Sequence, residues 1–203
     1  KAIRRQRQMC IRDRDTSIRG HKDSFSSRMG EYAVKTIQKT FGNGNIEYLD
    51  LYKTPIPYLT SEWDEAAHTP LGLRSEAQNK MLDAVDMKPL IRNDIYICCL
   101  AGYMYDVPAT FKSFLEHMVQ FDVTVNANWS PRLQNKKVLT IAAWGDDYDS
   151  VTPEIGYEFV VKKSFELLGI KEIKFFNIFN TNEITATEDT VQTQLEKEII
   201  SWK

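Results

Sequence analysis

Three short stretches carry the residue types that could do chemistry. Ser17 to Ser27 (SIRGHKDSFSS) holds hydroxyls at Ser24, Ser26 and Ser27, with Arg19, His21 and Lys22 adding positive charge. Placed at a helix start, where the first backbone N–H groups lack partners, these are the parts of a phosphate cradle. An ordinary serine cap beside a solvated basic loop would read the same way. Gly102, Tyr103, Met104 and Tyr105 put two aromatic rings and a glycine in one turn, enough to hold a flat ring or simply to cover the end of a sheet. In the third stretch, Trp144 to Tyr148, Gly145 would let backbone approach a ring closely. Asp146, Asp147 and Asp149 make that turn acidic but lack a partner set for a hard cation, so no metal site is expected.

Other constellations are missing. The chain has no dinucleotide G-x-G-x-x-G, no P-loop, no G-x-S-x-G elbow, no HExxH and no CxxC. His117, beside Glu116 and Met118, could act as a base but reads rather as a structural or half-exposed histidine, and His68 lies in a proline-containing loop that could reach over a cofactor. With no acid–base pair in view, a bound cofactor would have to carry the chemistry.

These loops need elements to position them. Ile95 to Ala101 is an unbroken apolar run, suited to a strand buried on both faces of a parallel sheet. The turn after it therefore falls outside the carboxyl end of a strand, where open α/β sheets bind ligands. Phe111, Phe114, Leu115, Met118 and Phe121 follow at helical spacing behind Pro108. Upstream, Phe25, Met29, Ala33, Ile37 and Phe41 mark a helix stopped by Gly42-Asn43-Gly44, and Ile46 to Leu51 a strand. A loop with Pro55, Pro57 and Pro70 holds Trp63 and His68, and Ala77, Met81 and Val85 mark a helix ending before Pro89. Val138 to Ala143 is a strand, Ile155 to Leu168 a helix closed by Gly169, Ile173 to Phe179 a strand, and Val191 to Trp202 the last helix. Such alternation implies one three-layer α/β domain.

The composition, 42% hydrophobic and 27% charged over 203 residues, suits one soluble domain, and no run is long enough to span a membrane. Cys10, Cys98 and Cys99 make no disulfide framework; a reducing, cytoplasmic setting is expected. The net charge of −2 hides an asymmetry: residues 1–22 hold eight of the 26 Lys and Arg but two of the 28 Asp and Glu. The acidic remainder has no basic stripe with stacking aromatics, which argues against nucleic acid. The first strand of such a fold is normally central and buried, yet Arg12, Asp13, Arg14 and Asp15 would be costly there. Either residues 8–11 alone pair as a short strand, or residues 1–15 are a foreign or damaged segment that leaves the central slot empty or poorly filled; the second is expected, ahead of a single domain over 16–203.

At the loops the chain resembles the FMN-dependent NADH:azoreductases, within the flavodoxin-like NAD(P)H:quinone oxidoreductases. The family's S-P-R-G and S-x-S appear as Ser17-Ile18-Arg19-Gly20 and Ser24-Phe25-Ser26, and its D-L-x-x-x-P-I-P as Asp50 to Pro57. Over Asp94 to Glu116 the chain keeps Tyr103, Pro108, Ala109, Lys112 and an acid at Glu116. The later signals appear as Asn135-Lys136-Lys137 and Gly169-Ile170 with Phe175-Phe176. The resemblance implies a flavodoxin-like doubly wound sheet of order 2-1-3-4-5. It implies FMN phosphate at Ser17, Ser24, Phe25 and Ser26, and the isoalloxazine along Gly102, Tyr103, Met104 and Tyr105. Ala143, Trp144, Gly145 and Asp146 would lie near the pyrimidine edge. It also implies a homodimer that takes hydride from NADH or NADPH and passes electrons to a small quinone or azo acceptor.

The chain departs from the pattern in the same places. Ala101, Gly102 and Met104 replace Pro, Met and Asn, so a side-chain amide that could bond the ring is missing. Trp144 and Asp146 replace Arg and Gly, and a carboxylate near reduced flavin disfavours its anion. These changes motivate the alternative of a non-enzymatic flavin-binding or interaction protein.

Overall fold

The computed structural model describes the backbone of residues 10–15 and the whole of residues 23–145, 156–182 and 188–202. Five strands form one parallel sheet: β1 (Cys10–Asp15), β2 (Asn45–Asp50), β3 (Ile95–Ala101), β4 (Lys137–Ala143) and β5 (Glu172–Ile178). Their order across the sheet is β2-β1-β3-β4-β5. Among the described residues seven α-helices accompany it: α1 (Phe25–Phe41), α2 (Ser61–His68), α3 (Glu76–Asp83), α4 (Pro89–Arg92), α5 (Ala109–Glu116), α6 (Tyr157–Leu167) and α7 (Glu188–Ile200).

Strand β1 occupies the central slot, where the sequence reading expected either a short strand over residues 8–11 or an empty or poorly filled slot. Cys10–Asp15 pairs with β2 from Cys10↔Asn45 to Asp15↔Asp50 and with β3 from Ile11↔Ile95 to Asp15↔Cys99. The physical reason is that ladder pairing draws only on backbone N–H and C=O groups. The charge of the side chains did not prevent it.

Strand β3 divides the core as its period of two requires. Tyr96, Cys98 and Leu100 join the layer containing Phe111, Phe114, Leu133 and Phe165, while Ile95, Ile97 and Cys99 join the layer of α1 and α7. The adjacent cysteines thus lie in opposite layers, both buried, with no disulfide. The first crossover helix covers one face and α5, after β3, the other. Neighbouring strands β1 and β3 therefore send their chains to opposite sides, and a crevice opens at their carboxyl ends.

Two helices differ from the sequence reading. The proline-containing loop contains α2: Thr60 caps it by accepting from the Trp63 N–H, Glu62 and Asp64 stand in its first turn, and Trp63, Ala66 and Ala67 are buried. Helix α5 stops at Glu116, and Met118 and Phe121 are buried by the loop that follows. That loop is tied to α2 by Phe121 N–H donating to the Ala67 carbonyl at 2.8 Å. No helix among the described residues is long and apolar enough to cross a membrane.

Candidate functional site

The serine loop meets the sheet edge at the start of α1. Ser24 is the N-cap, extended at φ −86° and ψ 126°, and its Oγ accepts from the Ser27 N–H at 3.3 Å. The Ser24 and Ser26 hydroxyls lie 3.1 Å apart, and Ser24, Ser26 and Ser27 are all buried. A 17-residue helix aims its positive end here, and its first turn holds no acidic residue to compete for the N–H groups. Hydroxyls and amides converging without carboxylates form a donor set that fits a phosphate monoester. Ser17 lies outside the described residues, as do Arg19, His21 and Lys22.

Across the crevice, β3 runs into the Gly102–Tyr105 turn. It closes with the Asp106 N–H donating to the Tyr103 carbonyl at 3.1 Å, and Met104 and Tyr105 take positive φ values of 50° and 64°. Left-handed backbone at two successive non-glycine residues carries strain, a common feature of binding loops. The turn lifts its side chains off the sheet: Tyr103, Met104 and Tyr105 are 39, 88 and 52% exposed. An apolar, partly aromatic surface at this edge is chemically suited to a flat ring.

Register brings the third loop alongside. Ala101 pairs with Ala143, so Gly102 and Trp144 succeed them as neighbours at the strand ends. The Gly102 N–H donates to Ala143 O and the Trp144 N–H to Ile178 O, both at 2.8 Å. These two amides are consumed by the sheet; those of Met104 and Gly145 have no partner among the described residues. Asp146, and with it Asp147, Tyr148 and Asp149, lies outside the described residues.

Both glycines are closely approached by side chains of the protein. A Cβ added to Gly102 would meet Cε3, Cδ2 and Cζ3 of Trp144, all within 2.5 Å, and one added to Gly145 would meet Nδ2 of Asn182 at 2.6 Å. The space beside each is taken by a side chain of the protein itself. Trp144 is accordingly buried, 4% exposed. Its Nε1 donates to Asn177 Oδ1 at 3.2 Å; Tyr157 Oη donates to the same oxygen, and Asn177 Nδ2 donates to Glu158 Oε1 at 2.7 Å. Burial, reinforced by the Glu158 carboxylate, pushes the Tyr157 hydroxyl well above its usual pKa, so it stays a neutral donor.

Sequence reasoning missed a fourth loop, Phe179–Asn182. The Thr181 N–H and Oγ1 both donate to Trp144 O, at 3.0 and 2.9 Å, and the Asn182 N–H donates to Gly145 O at 3.3 Å. The Asn180-Thr181-Asn182 run directly after a strand was the available signal, since Asn tolerates the positive φ of 56° found at Asn180.

Of the described histidines, neither His68 nor His117 stands at this edge as a base. His68 lies in α2 with Nδ1 2.8 Å from Asp64 O, and its ring meets Phe121 and Trp129 at 5.1 and 5.4 Å between centroids. His117 is wholly buried, its Nδ1 2.7 Å from Ser113 O and its ring edge-on to Trp63 at 4.3 Å. The bond to a carbonyl makes Nδ1 the protonated nitrogen, leaving Nε2 without a partner. Desolvation lowers its pKa against the smaller opposing effects of Ser113 and Glu116. A lowered folded-state pKa means the unfolded chain binds the proton first, so stability is full above about pH 6.5 and declines as pH falls below it. Thermal melts between pH 7.5 and 5.5 are expected to show that decline, and His117→Leu to flatten it. An unchanged slope in the variant would show that other groups cause it.

Comparisons with known proteins follow the same lines. A family profile described as flavodoxin-like fold matches residues 15–199. The FMN-dependent NADH:quinone oxidoreductase of Nostoc punctiforme is 25% identical over 177 residues, covering 83% of this chain and 86% of that protein. FMN-dependent NADH:quinone oxidoreductase 1 of Trichormus variabilis is 28% identical over 171 residues, covering 82% of each. Among solved structures, an FMN-dependent NADH-azoreductase from Bacillus anthracis str. Ames Ancestor, in complex with FMN, superposes with a TM-score of 0.75. It is 16% identical, and the match covers 96% of this chain and 99% of that one.

Proposed function

The chain belongs to the family of flavodoxin-like fold, and from that membership we propose that it is an FMN-dependent oxidoreductase moving electrons from NAD(P)H to quinones or azo compounds. The observation that carries the reading is the placement of two unlike surfaces on one sheet edge. A serine-lined helix start after β1, with no acidic residue in its first turn, lies on the same sheet edge as an exposed aromatic turn after β3. A phosphate on a short chain from a flat ring is the ligand that such a pair of surfaces fits, and the quinone-reductase names of the relatives identify that ligand as FMN.

Bound FMN would supply the redox chemistry, hydride acceptance from NAD(P)H and electron delivery to the acceptor. The protein's part is binding and electrostatics. Ser24, Phe25 and Ser26 at the start of α1, with Ser17, hold the phosphate. Gly102, Tyr103, Met104 and Tyr105 seat the ring, and the Met104 and Gly145 amides stand as donors for its heteroatoms. Ala143, Trp144 and Gly145 wall the other end, where Asp146 adds negative charge. Because the family's Asn is replaced by Met104, ring recognition here falls to backbone amides, which do not depend on side-chain identity.

A homodimer is part of the proposal. Trp129 is 52% exposed beside Phe121, and Leu71 and Leu73 stand exposed close by, where the Leu71 N–H reaches the Asp122 carboxylate at 2.9 Å. Exposed aromatic and aliphatic residues in one place are what interface centres are made of. Sedimentation at micromolar concentration tests it: twice the monomer mass is expected, and a concentration-independent monomer would refute it. A cytoplasmic location, where NAD(P)H is available, completes the reading.

Titration of FMN and of riboflavin tests the site assignment. FMN is expected to bind more tightly, and Ser24→Ala to erode that preference by about tenfold, roughly the 1–2 kcal/mol of a lost charge-assisted contact and cap. Equal affinity for the two ligands would remove the phosphate from the start of α1.

A further inference from the structure

Gly102 and Trp144, two of the residues that depart from the family's pattern, meet each other in the structure. They sit at the ends of paired strands, and the flat of the Trp144 indole occupies the volume that a side chain at 102 would need. Any Cβ at 102 collides with the indole ring atoms, so this placement of Trp144 requires glycine at 102.

The indole is held from its far side. Its Nε1 is bonded to Asn177 Oδ1, its ring lies 5.3 Å from that of Tyr157, and its backbone carbonyl takes two bonds from Thr181. On the near side is the start of the Met104–Tyr105 turn, whose positive φ values need outside support. A rigid side chain packed on one end of a strained turn fixes where the turn stands.

We propose that Trp144 is a positioning residue for the ring turn: interlocked with Gly102, it sets the placement of Tyr103, Met104 and Tyr105 and so the fit of the flavin ring in this protein. The inference rests on the FMN reading above. It accounts for two departures from the family pattern as one compensated exchange, so the altered turn is a refitted site and not a decayed one.

The test is a double-mutant cycle of Gly102→Ala and Trp144→Ala on the full chain, read both as melting temperature without ligand and as FMN affinity. Gly102→Ala is expected to weaken FMN binding by about 30-fold with Trp144 present, the size of an overpacking penalty, and by no more than about threefold in the Trp144→Ala background. Melting temperatures should show the same dependence. Trp144→Phe keeps a ring over Gly102 and should hold affinity within about threefold of the parent. Trp144→Ala should alter the visible circular dichroism of bound flavin, a signature that a loss of global stability alone does not change. Additive effects of the two substitutions, in a parent protein that binds FMN, would overturn the interlock and leave the FMN reading intact. A parent that binds no FMN, with the two residues coupled in melting temperature alone, would overturn the positioning role together with that reading.

Discussion

Replacing Phe111 with alanine is expected to lower the unfolding free energy by about 3–5 kcal/mol, the range for truncating a buried aromatic side chain. Phe111 is fully buried in the first turn of α5, 5.7 Å from the Phe114 ring between centroids, in the layer that also holds Val107 and Leu115. Helix α5 spans eight residues and has no side-chain cap at Pro108, so packing is what holds it. The cavity would therefore open at the helix end nearest the Gly102–Tyr105 turn. A lower urea midpoint with an unchanged slope is expected, accompanied by weaker FMN binding. A loss below about 1 kcal/mol would mean that the layer collapses around the gap, contrary to a tightly packed core.

Asn177→Leu is expected to cost about 2–4 kcal/mol, because it leaves two buried donors unpaired where a well-packed apolar group cannot replace their acceptor. Those donors are Trp144 Nε1 and Tyr157 Oη; the same change releases Glu158 from Asn177 Nδ2. Tyr157 is 5% exposed and its folded-state pKa is raised, chiefly by burial and then by Glu158. The sign follows directly: its contribution is full below the unfolded value near pH 10 and is lost as pH rises beyond it. Melts at rising alkaline pH should show that arm in the parent protein and lose it in Tyr157→Phe. A parent curve flat through pH 11 would show that Tyr157 ionises without penalty, against its burial.

Where periodicity was long and unmixed, the sequence sufficed. The bounds of β3 and α1 coincide with the apolar run Ile95–Ala101 and with the stripe from Phe25 to Phe41. Helix α2 escaped because eight residues with three buried positions give too short a stripe to see between prolines. Thr60 with Glu62 and Asp64 was its readable start. The extension of α5 through Phe121 failed for the opposite reason: the apolar spacing continued, but the burial is provided by a loop bonded to α2. For β1, the sequence offered only Met9, Cys10 and Ile11 as an apolar cluster, whereas the backbone pairing runs on through Asp15.

Much the same holds for the site. The loops after β3 and β4 were legible because apolar strands point to the edge where they end. The use of Gly102 was not, since only the β3–β4 register shows that Trp144 will be its neighbour. The Phe179–Asn182 loop was hidden likewise, because its bonds to Trp144 and Gly145 depend on β5 lying beside β4.

The central claim is that this sheet edge binds FMN and lets NAD(P)H reduce it. The most direct test is to load the purified protein with FMN, remove excess, and follow the flavin's visible absorption without oxygen during additions of NADH or NADPH and then a quinone. The account predicts retained flavin, bleaching of its band by the nicotinamide, and return of the band when the quinone is added. Flavin that washes off, or a retained band that neither nicotinamide bleaches, would contradict it.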